Sequence, residues 1–354
     1  MCCCILLSYN NVILKGITST LWKVNILSEK RSLEDIFLST FHNKYSFKEF
    51  IELDISEEYE TFNINNRTIY SPSAKLKAFH RFIISCIFEY AVFNEDVVFS
   101  YRKGTTIRGA VERHSDNNFF FQTDIKSFFS SISNNDVKTT LINQLVDTPV
   151  SDIKHYIDLL IKYCVIDNIL PTGFSTSPIL SNLCLFKFDN ELEKLAKEKQ
   201  LQYTRYSDDL ILSSKNLDVI NEIEPTIQKY LTLYINDAIM LNKSKTKITR
   251  KGQRIKLLGL VILPNGIVTI GKKTKIQMET LFHLYLTDDA KFENYILTHF
   301  KNKKDQQTSL KEYGISILSG KLMAINSMDK GYLNKLRTKY GNTVIEMFLR
   351  KTVK

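Results

Sequence analysis

The sequence predicts an α+β fold in which an antiparallel β-sheet is backed by helices. Residues 119–123 form an apolar run that is typical of a strand and ends at Asp124, and residues 203–212 are typical of a β-hairpin with Asp208 and Asp209 at its tip. Helical apolar spacing dominates the segments between and after these strands. With 354 residues, of which 44% are apolar, the chain is long enough for two or three lobes around one substantial core.

Before the first acid, the pattern predicts a strand followed by a helix. Arg67 opens a strand-like run that Pro72 ends, and Ser73 is a suitable N-cap for a helix from residue 74 to about residue 91. The apolar face of this helix would contain Leu76, Phe79, Phe82, Ile83 and Ile87.

The later elements follow from the same reasoning. Helical spacing recurs over residues 135–146, 153–165, 178–200 and 216–234. Residues 255–270 predict a hairpin turned at the Pro-Asn-Gly sequence of residues 264–266. The lysine-rich remainder predicts a small helical lobe.

The cysteines and the hydropathy pattern indicate the compartment. Six cysteines, three of them consecutive, form neither a disulfide framework nor a spaced metal site. No segment reaches the length needed to span a membrane. These features predict a cytoplasmic protein without a membrane partner.

Asp124, Asp208 and Asp209 carry the chemical signal of the chain. Adjacent carboxylates on a tight turn repel each other and lose solvation when enclosed, so a divalent cation is the expected counter-charge. Two acids at a turn are more often ordinary turn chemistry. The third acid, at the end of a separate strand, is what makes the metal hypothesis specific.

The two acid-bearing blocks resemble the catalytic palm motifs of reverse transcriptases. Two further blocks stand in the order that such a palm requires. Residues 170–183 are similar to the proline-x-glycine loop and the helix beside it, and residues 256–260 resemble the primer-grip hairpin.

The resemblance covers about residues 61–335 and implies a right-hand polymerase. The expected parts are an N-terminal extension of unknown role (1–60), fingers and the entry to the palm (61–123), a palm with the primer-grip hairpin (124–270) and a helical thumb (271–354).

The resemblance also implies phosphoryl transfer with two Mg²⁺ ions about 4 Å apart. Asp124 and Asp208 are expected to be ligands shared by the ions, with Asp209 as the weaker or more peripheral ligand. The backbone carbonyl of Ile125 is the expected additional oxygen ligand.

Nucleotide contacts follow from the same motifs. Phe129 is expected to stack under the incoming sugar and to exclude a 2′-hydroxyl, which makes dNTPs the substrates; the alternative is that Phe128 and Phe129 are both core. Lys245 is expected either to protonate the pyrophosphate leaving group or only to contact the nucleic-acid backbone.

Two of these contacts depart from the family pattern. Arg67 matches the fingers arginine that binds the triphosphate, but the short hairpin of residues 63–66 lacks the accompanying lysine, and Arg102 and Lys103 are the candidates to replace it. Thr172 stands where many retroelement enzymes carry glutamine, which predicts weaker support of nucleotide and template.

Gly173, next to Thr172, keeps the residue type of the family. It is expected to leave room for the paired base, because a side chain at this position would collide with it.

The net charge of +10 is concentrated after the predicted catalytic hairpin. A lone basic run is usually a solvated face, but beside a polymerase site it is expected to follow the phosphates of template and primer. The basic residues between positions 243 and 275, with no acid among them, are Lys243, Lys245, Lys247, Arg250, Lys251, Arg254, Lys256, Lys272, Lys273 and Lys275. The expected nucleic-acid contacts are Tyr206, Lys243, Lys247, Lys256 and Gly259.

The subgroup is indicated by weaker signals. Residues 313–322 resemble the thumb of bacterial retron and defence-associated reverse transcriptases, whereas residues 109–114 and 257–259 match the retron elements only partly. This favours a defence-associated enzyme over a true retron enzyme. The resemblance implies a noncoding RNA template, a DNA product and a protein partner in an antiphage complex, with priming by the RNA's own 2′-hydroxyl, by DNA or by a protein side chain left open.

Two hypotheses from other classes stay open. An RNA-directed RNA polymerase shares the arrangement of acids, but Phe129 argues against it. A noncatalytic RNA-binding palm would not need Asp124, Asp208 and Asp209 intact.

Overall fold

The computed structural model of the protein describes residues 30–65, 67–300 and 309–350. Four stretches lie outside the described residues: the first 29 residues of the predicted N-terminal extension, Asn66 of the predicted fingers, and residues 301–308 and 351–354 of the predicted thumb. Within the described part, the predicted α+β class with an antiparallel sheet backed by helices is confirmed.

The helices are named here in chain order. They are α1 (Leu33–Phe41), α2 (Phe47–Glu52), α3 (Ala74–Cys86), α4 (Ile107–Glu112), α5 (Asn134–Gln144), α6 (Ile157–Cys164), α7 (Ser177–Cys184), α8 (Phe186–Glu198), α9 (Leu217–Asn221), α10 (Ile223–Tyr234), α11 (Lys272–Thr287), α12 (Asp289–His299), α13 (Leu310–Met328), α14 (Lys330–Tyr340) and α15 (Asn342–Leu349). Short 3₁₀ turns cover Ile55–Glu58, Phe88–Tyr90, Phe128–Ser131, Leu145–Asp147 and Ile153–Tyr156.

The strands form three sheets. They are β1 (Tyr59–Ile64), β2 (Arg67–Pro72), β3 (Phe119–Asp124), β4 (Gln202–Tyr206), β5 (Asp209–Ser214), β6 (Lys247–Arg250), β7 (Ile255–Leu257), β8 (Leu260–Ile262) and β9 (Val268–Ile270). β1 pairs with β2, the central sheet has the order β4-β5-β3-β6, and β7-β8-β9 form a third sheet; all of these pairs are antiparallel.

Local capping explains where several helices begin. The Ser73 hydroxyl accepts a hydrogen bond from the amide of Leu76 at 3.0 Å, which confirms the predicted N-cap of α3. The helix ends at Cys86 rather than at residue 91, because Ile87 leaves helical geometry and a 3₁₀ turn follows. The single helix predicted for residues 178–200 is wrong in one respect: the buried Leu185, with ψ near 0°, divides it into α7 and α8.

The hairpin predicted for residues 255–270 is also corrected. It is a three-stranded meander with a second turn between β7 and β8. Leu258 and Gly259 both have positive φ, 48° and 86°, which is the geometry of a tight two-residue hairpin turn. The turn at residues 264–266 then joins β8 to β9.

Two hydrophobic cores lie on the two faces of the central sheet. Phe121 belongs to the core shared with α3, α5, α6, α8 and α10, whereas Phe120 belongs to the core shared with β7-β8-β9 and α11–α15. Successive side chains of a strand point to opposite faces. Asp124 therefore lies on the same face as Phe120.

The first helices pack into the larger core. Leu33, Phe37 and Phe50 are fully buried, and the Phe50 ring stacks on Tyr163 with 4.8 Å between centroids. The domain boundary at residue 60 stays a prediction, but α1 and α2 are part of the same packed body as α3 and α6.

In the part of the chain that the structure describes, no helix is both long enough and apolar enough to traverse a lipid bilayer.

Candidate active site at the end of the central strand

The three predicted acids meet at one end of the central sheet. Asp124, the last residue of β3, is directly opposite Asp209, the first residue of β5. The amide of Ile125 donates to the carbonyl of Asp208 at 3.0 Å. Residues opposite each other in an antiparallel pair have Cα atoms roughly 5 Å apart, so the sheet brings together acids that are 85 positions apart in sequence.

Asp124 is buried, with 4% of its surface exposed. Its Oδ2 accepts a hydrogen bond from the Lys245 ammonium at 2.6 Å, and this contact raises the pKa of Lys245. Its Oδ1 is buried without a hydrogen-bond partner. A buried carboxylate oxygen without a partner is costly, and such an atom in a cluster of acids is the expected ligand of a bound cation.

Asp209 shows the electrostatic strain of the cluster. It is exposed, yet the surrounding protein removes enough solvent to raise its pKa, and the charges of Asp208 and Asp124 raise it further, to about 6. Lys245 and Lys247 act in the opposite direction. A divalent cation would relieve this repulsion more completely than a single lysine does.

The oxygen donors are of the kind that a hard divalent cation takes, namely carboxylates and a backbone carbonyl. The described residues contain no group of three or more His, Cys, Asp or Glu side chains already arranged to hold a metal ion. The assignment of Asp124, Ile125, Asp208 and Asp209 as ligands stays a prediction.

A cavity of about 700 Å³ opens beside Asp124 and Asp208 toward strand β2. We call it the larger cavity. It brings together most of the residues predicted to bind the nucleotide. Its lining includes Arg67, Tyr70, Tyr101, Ile125, Phe129, Thr172 and Lys245.

Phe128 and Phe129 lie in a 3₁₀ turn. Both rings line the larger cavity, but Phe128 is only 6% exposed and belongs to the core, while Phe129 is half-buried and packs against that core. One ring therefore supports the other, with their centroids 5.4 Å apart.

Gly173 is not among the residues that line the larger cavity. Its φ is +115°, and a Cβ atom at this position would lie 2.2 Å from the Tyr70 carbonyl oxygen. The Tyr70 amide in turn donates to the Thr172 carbonyl at 2.8 Å. The structure thus gives a further reason for glycine, because the β1-β2 hairpin packs directly on this loop. The expected role of Gly173 beside the paired base stays a prediction.

Arg102 and Lys103 do not replace the missing fingers lysine. The Arg102 guanidinium donates to the carbonyls of Glu95 and Val98, both at 2.7 Å, and Lys103 pairs with Glu89. Neither lines the larger cavity.

A smaller cavity of about 380 Å³ lies on the other side of Asp124. It is lined by Gln122, Asp209, Lys245, Lys247 and the turn residue Leu258, among others. Of the predicted nucleic-acid contacts, Lys247 is therefore beside the acids. Tyr206, which pairs with Asp209 across β4 and β5, does not line this cavity, nor do Lys243, Lys256 and Gly259.

Sequence reasoning missed the buried support of the catalytic turn. Arg205 in β4 is fully buried and binds the Asp189 carboxylate of α8 through Nε and Nη2, the shorter contact being 2.6 Å. Its Nη1 donates to the Ser207 carbonyl and to Asn182 Oδ1, both at 3.0 Å. The available signal was Arg205 as the single charged residue of a short strand, since a guanidinium that becomes buried requires an acid.

Comparisons with known proteins agree with this geometry. The sequence profile described as "Reverse transcriptase (RNA-dependent DNA polymerase)" matches residues 29–262. The retron Ec83 reverse transcriptase of Escherichia coli is 23% identical over 301 residues, covering 81% of this chain and 88% of that protein. The retron Ec73 reverse transcriptase of the same species is 26% identical over 283 residues, covering 77% and 83%.

A structural similarity accompanies these matches. Telomerase from Candida albicans, solved with a fragment of telomeric RNA, has a TM-score of 0.42 and 13% identity. The match covers 92% of this chain and 59% of the telomerase chain. The expected similarity to bacterial reverse transcriptases of the retron type is confirmed by the retron relatives, whereas the preference for a defence-associated enzyme stays a prediction.

Proposed function

The chain belongs to the reverse transcriptase (RNA-dependent DNA polymerase) family, and on this premise we propose that it copies a noncoding RNA template into DNA at Asp124, Asp208 and Asp209. As a member of this family it is an RNA-directed DNA polymerase. The observation that supports the proposed site is the direct pairing of Asp124 with Asp209 beside the Ile125–Asp208 hydrogen bond.

The proposed cofactor is a pair of Mg²⁺ ions. When bound, they would lower the pKa of the primer 3′-hydroxyl and neutralise the triphosphate. Asp124 and Asp208 would hold both ions, and Asp209 and the Ile125 carbonyl would complete the oxygen ligands. The unpartnered Oδ1 of Asp124 and the raised pKa of Asp209 support this assignment.

The proposed nucleotide site is the larger cavity. Arg67 would donate to the triphosphate from the start of β2, and Phe129 would pack under the deoxyribose. Thr172 would lie beside the base, and Gly173 would leave room for the paired base. The absence of a side chain at Gly173 also lets the β1-β2 hairpin pack on this loop. Lys245 would pass from Asp124 to the leaving pyrophosphate, since a flexible ammonium can exchange one anion for another.

The proposed primer and template path crosses the smaller cavity and the basic surface around β6 and β7. Lys247, beside the acids, and Tyr206, opposite Asp209, would contact the nucleic-acid backbone there, and Lys243, Lys256 and Gly259 would contact it elsewhere on this surface. The four predicted parts of the chain, with boundaries at residues 60, 123 and 270, are an N-terminal extension, fingers, palm and thumb in this proposal. The two cores on opposite faces of the central sheet are consistent with it.

The proposed setting is antiphage defence in the bacterial cytoplasm, with a protein partner. Cys86, Cys164 and Cys184 are free thiols, which agrees with a reducing compartment. The alternative is a retron enzyme that makes an RNA-linked DNA, and the retron names of the relatives favour it.

The site is tested by Asp124→Asn and Asp208→Asn in primer extension with dNTPs on an RNA template. Each variant is expected to lose synthesis while still binding primer-template in a filter assay, because asparagine keeps the size of aspartate and the proposed nucleic-acid contacts are other residues. Asp147→Asn is the matched control, since Asp147 is exposed and lines neither cavity. Extension by either site variant at near the parental rate contradicts the proposal.

The template is tested by sequencing the nucleic acid that copurifies with the protein. A single noncoding RNA together with its complementary DNA is expected. DNA that stays joined to RNA after denaturation would favour the retron alternative, and RNA with no DNA would favour a noncatalytic palm.

A further inference from the structure

Ser207 immediately precedes Asp208 and is held in an unusual backbone conformation. Its φ is 60°, in the left-handed region that non-glycine residues adopt at a cost. Such a residue persists only where its surroundings over-determine it, and these sites concentrate where function needs a fixed geometry.

Each polar group of Ser207 has a partner from a different side chain. Its amide donates to Ser100 Oγ at 2.8 Å, its carbonyl accepts from Arg205 Nη1 at 3.0 Å, and its hydroxyl lies 2.7 Å from the Tyr101 hydroxyl. Three directions of restraint leave the peptide that leads into Asp208 little freedom to rotate.

Two of the three partners are anchored in the protein interior. Arg205 and Ser100 are fully buried. Arg205 is fixed by the Asp189 carboxylate, and the Ser100 carbonyl accepts from Asn182 Nδ2 at 2.9 Å. These contacts form the rigid underside of the turn.

Tyr101 differs from the other two because it approaches from the open side. The residue is 44% exposed, has a φ of 58°, and lines the larger cavity together with Ser207 and Asp208. Removal of its hydroxyl would therefore take away one restraint on the turn without opening a hole in the core.

We propose that Tyr101 is a positioning residue for Asp208: its hydroxyl, acting through Ser207 Oγ, completes the set of contacts that fixes the backbone from which this carboxylate projects. Tyr101 itself does not touch the reacting atoms. The inference rests on the proposed role of Asp208 in synthesis.

The test is a double-mutant cycle with Tyr101→Phe and Ser207→Ala, measured by single-nucleotide extension on an RNA template. Each single variant is expected to lower kcat about fivefold, the factor that one ordinary hydrogen bond is worth, with KM for the dNTP unchanged. The double variant should be no slower than either single one, because both changes remove the same contact. Tyr90→Phe, at a similarly exposed tyrosine outside the larger cavity, is the matched control.

A second readout does not depend on catalysis. Hydrogen exchange at the amides of Ser207 and Asp208, measured without nucleotide or added metal, should be faster in Tyr101→Phe and unchanged in Tyr90→Phe. Three results would each overturn the proposal: additive losses in the double variant, a raised KM at constant kcat, or unchanged hydrogen exchange. A raised KM would make Tyr101 a direct nucleotide contact instead.

Asp208→Asn, measured in the same assay, distinguishes the proposed role of Asp208 in synthesis from the positioning role of Tyr101. If it stays active, the proposed role of Asp208 fails. If it is inactive while Tyr101→Phe and Ser207→Ala match the parent, only the positioning role fails.

Discussion

Two neighbouring phenylalanines after Asp124 have different surroundings, and this difference makes Phe129 testable. Phe128 is buried in the core, so the half-buried ring of Phe129 can be removed while Phe128 stays in place. A ring on the wall of the larger cavity can exclude a 2′-hydroxyl by volume alone.

Phe129→Ala is expected to admit ribonucleotides, because the space occupied by the ring becomes available to the 2′-hydroxyl. The measurement is the ratio of kcat/KM for a dNTP to that for the matching ribonucleotide, which should fall at least tenfold, or about 1.4 kcal/mol. Phe62→Ala, at an exposed aromatic residue of β1, is the control and should leave the ratio unchanged. An unchanged ratio in Phe129→Ala would assign the ring to packing only.

His114 has no chemical role in the site but makes the fold sensitive to acid. It is fully buried, its ring nitrogens lie 2.7 Å from Ser213 Oγ and Thr204 Oγ1, and burial lowers its pKa to about 3. The neutral ring is thus part of the hydrogen bonding beneath β4 and β5.

Stability should fall as the pH falls below 6.5, since the unfolded chain then binds a proton that the folded His114 does not. From pH 7 to pH 5 this residue is expected to cost about 2 kcal/mol of unfolding free energy. Urea denaturation at both pH values should show that His114→Gln loses about 2 kcal/mol less unfolding free energy than the parent. His155→Gln, at an exposed histidine, should lose as much as the parent. Equal losses in His114→Gln and the parent would contradict the assignment.

At the scale of single elements, the sequence predicts what depends on near neighbours. The cap at Ser73 and the strand ending at Asp124 are local patterns, and both are present. The division at Leu185 and the turn at Leu258 were not predicted, because a buried leucine and a leucine with positive φ carry no distinct local signal. The contact of Gly173 with the Tyr70 carbonyl was not predicted either, because it joins two segments that are distant in sequence.

Gly173→Ala is expected to destabilise the protein by more than 2 kcal/mol, since it adds both left-handed strain, about 1 kcal/mol, and a clash with the Tyr70 carbonyl. Gly104→Ala is the matched control: its φ is +80°, but nothing lies within 4 Å of the added Cβ. Thermal melting of both variants separates the clash from the strain. Equal losses would show that the fingers hairpin moves away at no cost.

At the scale of the whole molecule, the parts that the sequence could not predict are contacts between distant segments. Arg205 was visible as a charge in a strand, but its partner Asp189 is on another element and had to be found in space. The packing of Phe37 and Phe50 against the later helices is of the same kind. Acids and caps are recognisable one segment at a time, whereas buried pairs are properties of the folded chain.

One such contact joins the helical lobe α11–α15 to the rest of the molecule. Asp329 is 4% exposed; its Oδ2 accepts from Thr269 Oγ1 at 2.5 Å and from the Ile270 amide at 3.1 Å, and its Oδ1 caps α14 through the Tyr332 amide at 3.0 Å. Arg108 of α4 donates to the neighbouring Met328 carbonyl at 3.1 Å. Strand β9, α4 and the proposed thumb therefore meet at one carboxylate.

Asp329→Ala is expected to shorten the DNA made per binding event several-fold while changing the addition of a single nucleotide much less, because the lobe loses its polar contacts with β9 while the acids keep theirs. Processivity with a trap for free enzyme measures the first quantity, and single-nucleotide extension the second. Asp288→Ala removes a cap within the same lobe without contact to β9 and is the control. If Asp329→Ala lowers processivity and single-nucleotide extension equally, a role of Asp329 limited to holding the nucleic acid is excluded.

The central strand β3 also limits how this protein can change over evolutionary time. Phe119 and Phe121 pack in one core and Phe120 in the other, and Asp124 lies on the same face as Phe120. Gaining or losing one codon within residues 119–123 would exchange the two faces and turn the carboxylate away from its partners. We therefore expect homologous chains to vary in loop length before this strand but to keep a fixed spacing within it and from it to Phe129.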